Sequence, residues 1–210
     1  MSAGRYIVIE GPLRVGKSSL ARALADRIHA HTLLDSEENP FLDALYRGEE
    51  GAAFRTQMYY LIARFQQLQA ANIESSRTPV VADYLFEKDK LFAYLGLNDE
   101  ELAVYDKYYS FLKDQVPEPD LVVYLKASPQ VLRERINRKN VASEARISNE
   151  YLQEVMRAYE HFFSHYKQAD VLVVDTTKVD FVHNPADLQE LLQELSRPVR
   201  GTQYFLPLGS

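Results

Sequence analysis

The chain has 210 residues, of which 46% are hydrophobic and 26% are charged, and its formal net charge at pH 7 is −6. This length and composition are typical of one globular domain with a core of its own. The acidic balance argues against binding to a nucleic acid polymer or an anionic membrane through a general basic surface. Because the sequence has no cysteine, a disulfide framework, a thiolate metal site and a cysteine nucleophile are excluded.

The first residues lead directly into an apolar strand, without the basic and apolar regions that mark a signal peptide. No apolar run approaches the ~20 residues that a membrane-spanning helix requires. We therefore expect a cytoplasmic protein that does not enter a membrane.

A strand predicted over residues 6–9 leads into a loop and then into an amphipathic helix. The loop and the first helical residue read Gly11, Pro12, Leu13, Arg14, Val15, Gly16, Lys17, Ser18 and Ser19. The G-x-x-x-x-G-K-S spacing between a strand and a helix indicates a phosphate-binding P-loop, whose glycines let several backbone N–H groups point at one anion. We expect these residues to bind ATP, with Lys17 on its β- and γ-phosphates and Ser18 on Mg²⁺. Arg14 is unusual, because such loops favour small residues.

Four further short apolar runs, at residues 32–34, 80–82, 121–125 and 171–174, alternate with helical patterns. Nearly continuous apolar strands separated by helices are typical of a parallel sheet that is buried on both faces. We predict an α/β fold with a five-stranded parallel sheet flanked by helices, as a single domain over residues 1–198. The tail at residues 199–210 is apolar without helical periodicity, so that packing across the surface and disorder both remain open.

Acidic side chains follow two of the predicted strands, where open α/β sheets bind their ligands. Asp35, Glu37 and Glu38 follow the second strand, and one such carboxylate is needed to accept the proton of a hydroxyl that receives a phosphoryl group. Capping of the next helix explains some of the three. Asp83 ends the third strand, where it is placed to hold Mg²⁺ directly or through water, or to cap the segment that follows.

Two polar side chains share one face of a long helix predicted over about residues 52–75. Gln57 and Arg64 are seven residues apart, which corresponds to two helical turns. A Gln amide combines a donor and an acceptor, as recognition of a nucleobase edge requires, and Arg64 and Asp89 add polarity nearby. Exposed polar positions on an otherwise buried helix explain the pair equally well.

A second basic cluster lies in the C-terminal half of the chain. Its members are Arg133, Arg135, Arg138, Lys139 and Arg146. They flank a polar segment between two predicted helices, and we interpret residues 138–147 as a lid that closes over ATP and supplies positive charge to the transferred phosphoryl group. A solvated basic face paired with Glu134 and Glu144 is the alternative, which the upstream P-loop makes less favourable.

Six segments of the chain resemble the deoxynucleoside kinases, and among them the bacterial deoxyguanosine and deoxyadenosine kinases. They are EGPLRVGKS at 10–18, ENPFLDALY at 38–46, QMYYLIARFQ at 57–66, ADYLFEK at 82–88, PDLVVYLKASP at 119–129 and RINRK…E at 135–144. The resemblance covers about residues 5–182. It implies a P-loop kinase fold and ATP-dependent phosphorylation of a deoxynucleoside 5′-hydroxyl in nucleotide salvage. The Asp83-Tyr84-Leu85 sequence looks like the deoxyguanosine kinase branch, which implies a purine substrate.

The resemblance also implies roles for individual residues. By position, Tyr46 and Glu144 hold the sugar 3′-hydroxyl, and Gln57 binds the base with Arg64 and Asp89 nearby. Lys17 and Ser18 act on phosphate and Mg²⁺, and Asp83 assists the metal. Arg135 and Lys139 match basic residues of the lid. The general base of the family is matched most closely by Asp35, with Glu37 as the fallback. Two positions depart from the family: Arg14 in the P-loop, and Asn140-Val141 where the lid usually has Gly-Arg. Arg138 or Arg146 is placed to compensate for the missing guanidinium.

Two other functions remain open at this level. A nucleoside monophosphate kinase would need extra cationic groups for the acceptor phosphate, but the region after the second strand is acidic. A nucleotide-binding protein whose altered loop and lid leave it without activity is the other alternative. Aromatic residues are dense around residues 59–65 and 105–111, which favours a homodimer packed through helices, although an ordinary core also explains them.

Overall fold

A parallel β-sheet forms the centre of the computed structural model, which describes residues 5–36, 38–141 and 144–207. Within these residues the sheet has six strands, in the order β2-β3-β1-β4-β5-β6. The strands are β1 (Tyr6–Glu10), β2 (His31–Leu33), β3 (Val80–Ala82), β4 (Leu121–Lys126), β5 (Asp170–Asp175) and β6 (Thr202–Phe205). The predicted α/β fold with a parallel sheet is confirmed, whereas the predicted number of five strands is wrong.

The additional strand comes from the C-terminal tail. β6 pairs in parallel with β5, and Val173 lies opposite Tyr204. Gly201, at a φ of 63°, turns the chain into this strand, and its N–H donates to Asp170 Oδ1 at 2.7 Å. Because β6 forms the edge of the sheet and most of its side chains are exposed, it lacks the continuous apolar run that marks the buried strands.

Eight α-helices surround the sheet in the described part of the chain. They are α1 (Lys17–Ile28), α2 (Leu42–Tyr46), α3 (Ala52–Ala71), α4 (Lys88–Gly96), α5 (Asp99–Lys113), α6 (Pro129–Lys139), α7 (Asn149–His165) and α8 (Pro185–Leu195). Asn98 caps α5 with a complete capping box, and Ser128 and Asn184 cap helices that begin with proline. In all three helices a residue typical of the N-cap position marks where the helix begins. None of the described helices combines the length and the apolar character needed to cross a membrane.

The sheet separates two hydrophobic cores. Along β1 the side chains alternate, so that Tyr6 and Val8 face one core while Ile7 and Ile9 face the other. The first core is completed by α3, α4, α5 and α7, and the second by α1, α6 and α8. Because β1, β2 and β3 are parallel neighbours, their carboxyl ends and the segments that follow them meet at one edge of the sheet. That edge carries the site described next.

Candidate active site

The P-loop connects β1 to α1 and requires both of its glycines. Gly11 has a φ of 150°, and a Cβ there would lie 2.3 Å from the carbonyl oxygen of Leu125. Gly16 has a φ of 109°, and a Cβ there would lie 2.6 Å from the ring of Phe181. No side chain caps the N-terminus of α1, whose first N–H groups therefore remain available to an anion.

Lys17 is folded over the loop to which it belongs. Its Nζ donates to the carbonyl oxygens of Gly11 and Pro12 at 2.8 and 3.1 Å. Burial lowers the pKa of Lys17 to about 8, because the raising effect of Glu10 and neighbouring carboxylates does not fully compensate for lost hydration. A bound polyphosphate would supply the missing negative charge and favour the protonated form.

Asp83 joins the P-loop to the segment after β2. The carboxylate of Asp83 accepts from Ser18 Oγ through Oδ2, and from the backbone N–H of Asp35 through Oδ1 at 2.6 Å. The hydroxyl of Ser18 and the carboxylate of Asp83 are oxygen donors of the kind that Mg²⁺ prefers. No cluster of three or more His, Asp or Glu side chains placed for a metal ion exists among the described residues. The residues present fit Mg²⁺ if nucleotide phosphates and water complete its ligands.

A buried charge cluster continues from Asp35 toward α3 and α4. Arg64 donates two hydrogen bonds to Asp35, from Nε to Oδ1 at 2.9 Å and from an Nη to Oδ2 at 2.6 Å. Its other Nη donates to Asp89. Lys88 Nζ donates to Asp35 Oδ2 at 2.9 Å. Arg64 and Asp89 thus lie together, as their predicted shared role requires, and Asp35 joins them.

The two carboxylates of this cluster have opposite pKa shifts. Burial alone would raise the pKa of Asp35, but the charges of Lys88 and Arg64 outweigh it and hold this pKa well below its usual value. Burial raises the pKa of Asp89 to about 6, even though Arg64 acts in the opposite direction. Asp35 is therefore ionised throughout the neutral range, and its role as proton acceptor stays a prediction. Glu37, the fallback, lies outside the described residues.

Sequence reasoning missed two charged residues of this site. Glu10 is completely buried, and its carboxylate accepts from the N–H groups of Gly11 and Leu85, both at 2.7 Å, and from Tyr159 Oη at 3.0 Å. Lys88 lies between Glu10 and Asp35, with its Nζ 3.8 Å from Glu10 Oε2. A carboxylate that ends an apolar strand directly before a P-loop glycine was the available signal for Glu10. For Lys88 the signal was its place at the start of a helix near the same sheet edge.

Several buried polar atoms have no hydrogen-bond partner among the described residues, and two of them belong to Tyr84 and Asp89, which lie close to Arg64. Buried oxygens that accept or donate no hydrogen bond among the described residues include Tyr84 Oη, Tyr105 Oη and Asp89 Oδ2. The guanidinium of Arg64 lies 4.5 Å from the centre of the Tyr60 ring and 5.8 Å from that of Tyr84. The half-buried Gln57 is one turn of α3 before Tyr60. Aromatic faces beside unsatisfied polar atoms suit a flat ligand whose edge carries donors and acceptors.

The predicted lid cations have different surroundings. Arg135 donates to the carbonyl oxygens of Val15, Thr176 and Val179 at 3.2, 3.0 and 2.9 Å, and so braces the P-loop against the segment after β5. Arg138 is exposed and pairs with Asp180 at 3.0 Å, and Lys139 is exposed. Contact of these three side chains with a transferred phosphoryl group stays a prediction.

Arg14 connects the P-loop to Glu144, in the segment predicted as a lid. Its Nε donates to Glu144 Oε2 at 2.8 Å, and an Nη donates to Glu144 Oε1. The Glu144 side chain is buried, and Tyr46 lies near it: burial and the charge of Glu144 raise the pKa of Tyr46. The two residues expected at the sugar 3′-hydroxyl are thus brought together. Arg14 is paired with Glu144 in the segment predicted as a lid, and its contact with the nucleotide stays a prediction.

Comparison with known proteins identifies related sequences along nearly the whole chain. The deoxynucleoside kinase family profile matches residues 7–200. A deoxyguanosine kinase of Bacillus subtilis (strain 168) is 32% identical over 198 residues, which cover 91% of this chain and 96% of that protein. A deoxyadenosine kinase of Dictyostelium discoideum is 33% identical over 165 residues, which cover 76% of this chain and 66% of that protein.

The fold has a close counterpart among solved structures. A deoxyadenosine kinase from M. mycoides with bound dATP aligns with a TM-score of 0.76 at 24% identity, covering 91% of this chain and 100% of that one. The resemblance identified from the six sequence segments is therefore confirmed, and the chain belongs to the deoxynucleoside kinase family.

Proposed function

We propose that the protein transfers the γ-phosphoryl group of ATP to the 5′-hydroxyl of a purine deoxynucleoside, giving the 5′-monophosphate for cytoplasmic nucleotide salvage. One observation carries the proposal: Asp83 links the P-loop to the Asp35–Arg64–Asp89 cluster, so that the loop expected to bind phosphate adjoins the cluster expected to bind the acceptor. The purine preference is supported by the relatives, among them the deoxyguanosine kinase of Bacillus subtilis.

The phosphates of ATP would occupy the P-loop. Backbone N–H groups and the N-terminus of α1 face the anion, while Lys17 turns from its carbonyl partners to the β- and γ-phosphates. Ser18 and Asp83 would hold Mg²⁺, which supplies neutralising charge between the phosphates when it is bound. Arg135 keeps the loop in place through the carbonyl oxygen of Val15.

Asp35 would orient the 5′-hydroxyl for in-line attack. Of its two oxygens, Oδ1 accepts only one hydrogen bond in the described structure, from Arg64, which leaves a lone pair for the hydroxyl. A carboxylate with a low pKa is a weak base, yet phosphoryl transfer passes through a loose transition state that depends mainly on positioning. Asp35 therefore aligns the hydroxyl first and accepts its proton as the new bond forms.

The nucleoside would be held at its two other ends. Gln57 and the pair Arg64–Asp89 are expected to face the base edge, where oxygens of Asp89, Tyr84 and Tyr105 have no hydrogen-bond partner within the part of the chain that the structure describes. Tyr46 and Glu144 are expected at the 3′-hydroxyl, where both lie close to Arg14. The nucleoside monophosphate kinase alternative is disfavoured, because Arg64 and Lys88, the cations beside Asp35, are already paired with carboxylates.

Product analysis tests the proposal. The purified protein is incubated with Mg·ATP and each of the four common deoxynucleosides, and 5′-monophosphates are separated by chromatography. We expect a purine deoxynucleoside to give the highest kcat/KM. Absence of product from all four, together with measured ATP binding, would favour the inactive nucleotide-binding protein. Conversion of deoxynucleoside monophosphates to diphosphates would favour the monophosphate kinase.

The affinity for ATP is expected to fall above pH 8. Lys17, with a pKa of about 8, changes from about 90% to about 10% protonated between pH 7 and pH 9 in the free protein. Because phosphates bind the protonated form, the apparent Kd of a non-hydrolysable ATP analogue rises about tenfold over this range. Calorimetric titration at both pH values measures it, and Lys17→Met provides the control, since it removes the titrating group. A constant Kd for the unmodified protein would contradict the prediction.

A homodimer packed through α4 and α5 is part of the proposal. Exposed apolar side chains on these helices are Tyr94, Val104, Tyr108 and Phe111, of which Phe111 is 72% exposed. Val104, Tyr108 and Phe111 recur at four- and three-residue spacing, so that they form one stripe on α5. Sedimentation should give twice the mass of one chain, and Phe111→Asp should give a monomer. A monomeric unmodified protein at micromolar concentration would contradict this assembly.

A further inference from the structure

We propose that Arg14 is a positioning residue that holds Glu144 of the lid beside the P-loop and thereby sets the preference for acceptors with a 3′-hydroxyl. The inference rests on the proposed function, and it assigns Arg14 to the sugar rather than to the phosphates of ATP.

The first support is the geometry of the ion pair. Arg14 uses its Nε and one Nη on both oxygens of Glu144, a two-bond arrangement that fixes the plane of the carboxylate as well as its distance. Arg14 achieves this from a φ of 61°, a left-handed conformation that residues other than glycine rarely adopt. The pair joins positions 130 residues apart in the sequence, and so fastens the lid to the phosphate loop.

The second support is electrostatic. Glu144 is 7% exposed, and a buried carboxylate needs a charged or hydrogen-bonding partner. Arg14 is the cation that pairs with it among the described residues. Without Arg14, the lid would bring an uncompensated negative charge toward a loop that binds a polyphosphate. The guanidinium therefore allows a carboxylate to stay at this position when ATP is bound.

The third support is that the pair still leaves room for a ligand. Each oxygen of Glu144 accepts one hydrogen bond from Arg14, and a carboxylate oxygen offers two acceptor positions. Tyr46 lies close enough for Glu144 to affect its pKa. A sugar hydroxyl placed between Tyr46 and Glu144 thus finds an oriented acceptor, and loss of Arg14 would release the carboxylate from this position.

The test compares two acceptors that differ only at the 3′ position. Values of kcat and KM are measured for the best deoxynucleoside and for its 2′,3′-dideoxy analogue, with the unmodified protein, Arg14→Gly, Arg14→Lys, Glu144→Ala and the double variant that combines Arg14→Gly with Glu144→Ala. Arg14→Gly accepts a φ of 61° without strain, so its effect reports on the guanidinium. Arg197→Ala, which removes an arginine from an exposed pair with Glu194 on α8, is the matched control.

We expect Arg14→Gly to reduce the kcat/KM ratio of the deoxynucleoside to its dideoxy analogue about tenfold or more, mainly through the KM of the deoxynucleoside. The KM for ATP should stay within about twofold, Arg14→Lys should restore part of the ratio, and Arg14→Gly should add little to Glu144→Ala in the double variant. Thermal unfolding of each variant confirms that it is folded.

Three results would overturn the inference. They are an unchanged ratio in Arg14→Gly, an increase in the KM for ATP that affects both acceptors equally, and an unmodified enzyme that is active without preferring the 3′-hydroxyl. An unmodified protein that phosphorylates none of the deoxynucleosides would instead overturn the proposed function, so the two failures are distinguishable.

Discussion

Replacing Lys17 with alanine is expected to lower kcat by about a thousandfold while the protein stays folded. Lys17 is a P-loop cation whose Nζ lies within hydrogen-bonding distance of two loop carbonyl oxygens, and in the proposed mechanism it turns from them to the phosphates. In phosphoryl transfer the charge on the transferred group moves toward the leaving oxygen. A preorganised cation therefore stabilises the charge distribution of the transition state more strongly than that of the ground state. The loss should therefore appear in kcat as well as in the KM for ATP.

The stability of Lys17→Ala separates a catalytic role from a structural one. Because burial lowers the pKa of Lys17, the folded protein already disfavours its charge, and removal should not lower the free energy of unfolding. Steady-state kinetics and thermal unfolding are measured in parallel with Arg197→Ala, which should retain full activity. Turnover of Lys17→Ala within about tenfold of the unmodified protein would remove Lys17 from the proposed mechanism.

The P-loop and the buried charge cluster beside it differ in how far the sequence predicts them. Nine consecutive residues specify the P-loop, since its glycines, lysine and serine act through the local backbone, and the structure has that strand, loop and helix in their expected places. The charge cluster is different, because Asp35, Arg64 and Lys88 belong to three elements far apart in the chain. The sequence indicates Asp35 and Arg64 as separate candidate residues. Their contact arises only when α3 and α4 pack on the sheet.

The contacts that the sequence does not predict have a common physical origin. Glu10 directly follows the predicted apolar strand, and its charge is tolerated in a buried position because Tyr159 and two backbone N–H groups donate to its carboxylate. The link from Arg14 to Glu144 depends on where the fold brings Glu144 relative to the P-loop. In each case a charged side chain is tolerated because of a partner distant in sequence, which periodicity and spacing do not record.

Replacing Arg64 with methionine is expected to lower the free energy of unfolding by about 3–5 kcal/mol at neutral pH, because it leaves a buried carboxylate without its counter-ion. The two partners of Arg64 are not equally affected. Asp35 keeps its hydrogen bond to Lys88 at 2.9 Å, whereas Asp89, completely buried, loses the cation that pairs with it in the described structure. Removing Arg47 from its exposed pair with Glu49 should cost less than about 1 kcal/mol.

The pH dependence identifies which carboxylate causes the loss. The pKa of Asp89 is raised to about 6 in the folded protein, so its stabilising contribution is complete below its unfolded pKa and is lost as pH rises through 6. Without Arg64 this pKa rises further, so the cost of Arg64→Met should be smaller at pH 5 than at pH 8. Asp35, whose pKa is well below its usual value, stays ionised over this range and adds no slope.

A double variant tests the same argument without changing the pH. Asp89→Asn removes the charge that Arg64→Met leaves unpaired, so the double variant should recover more than half of the lost free energy of unfolding, measured by urea denaturation. If Arg64 mainly filled space, the asparagine would restore nothing and the loss would be equal at pH 5 and pH 8. That result would mean that the charges beside the proposed base site are held by packing, and that Arg64 is not needed to keep Asp89 ionised there.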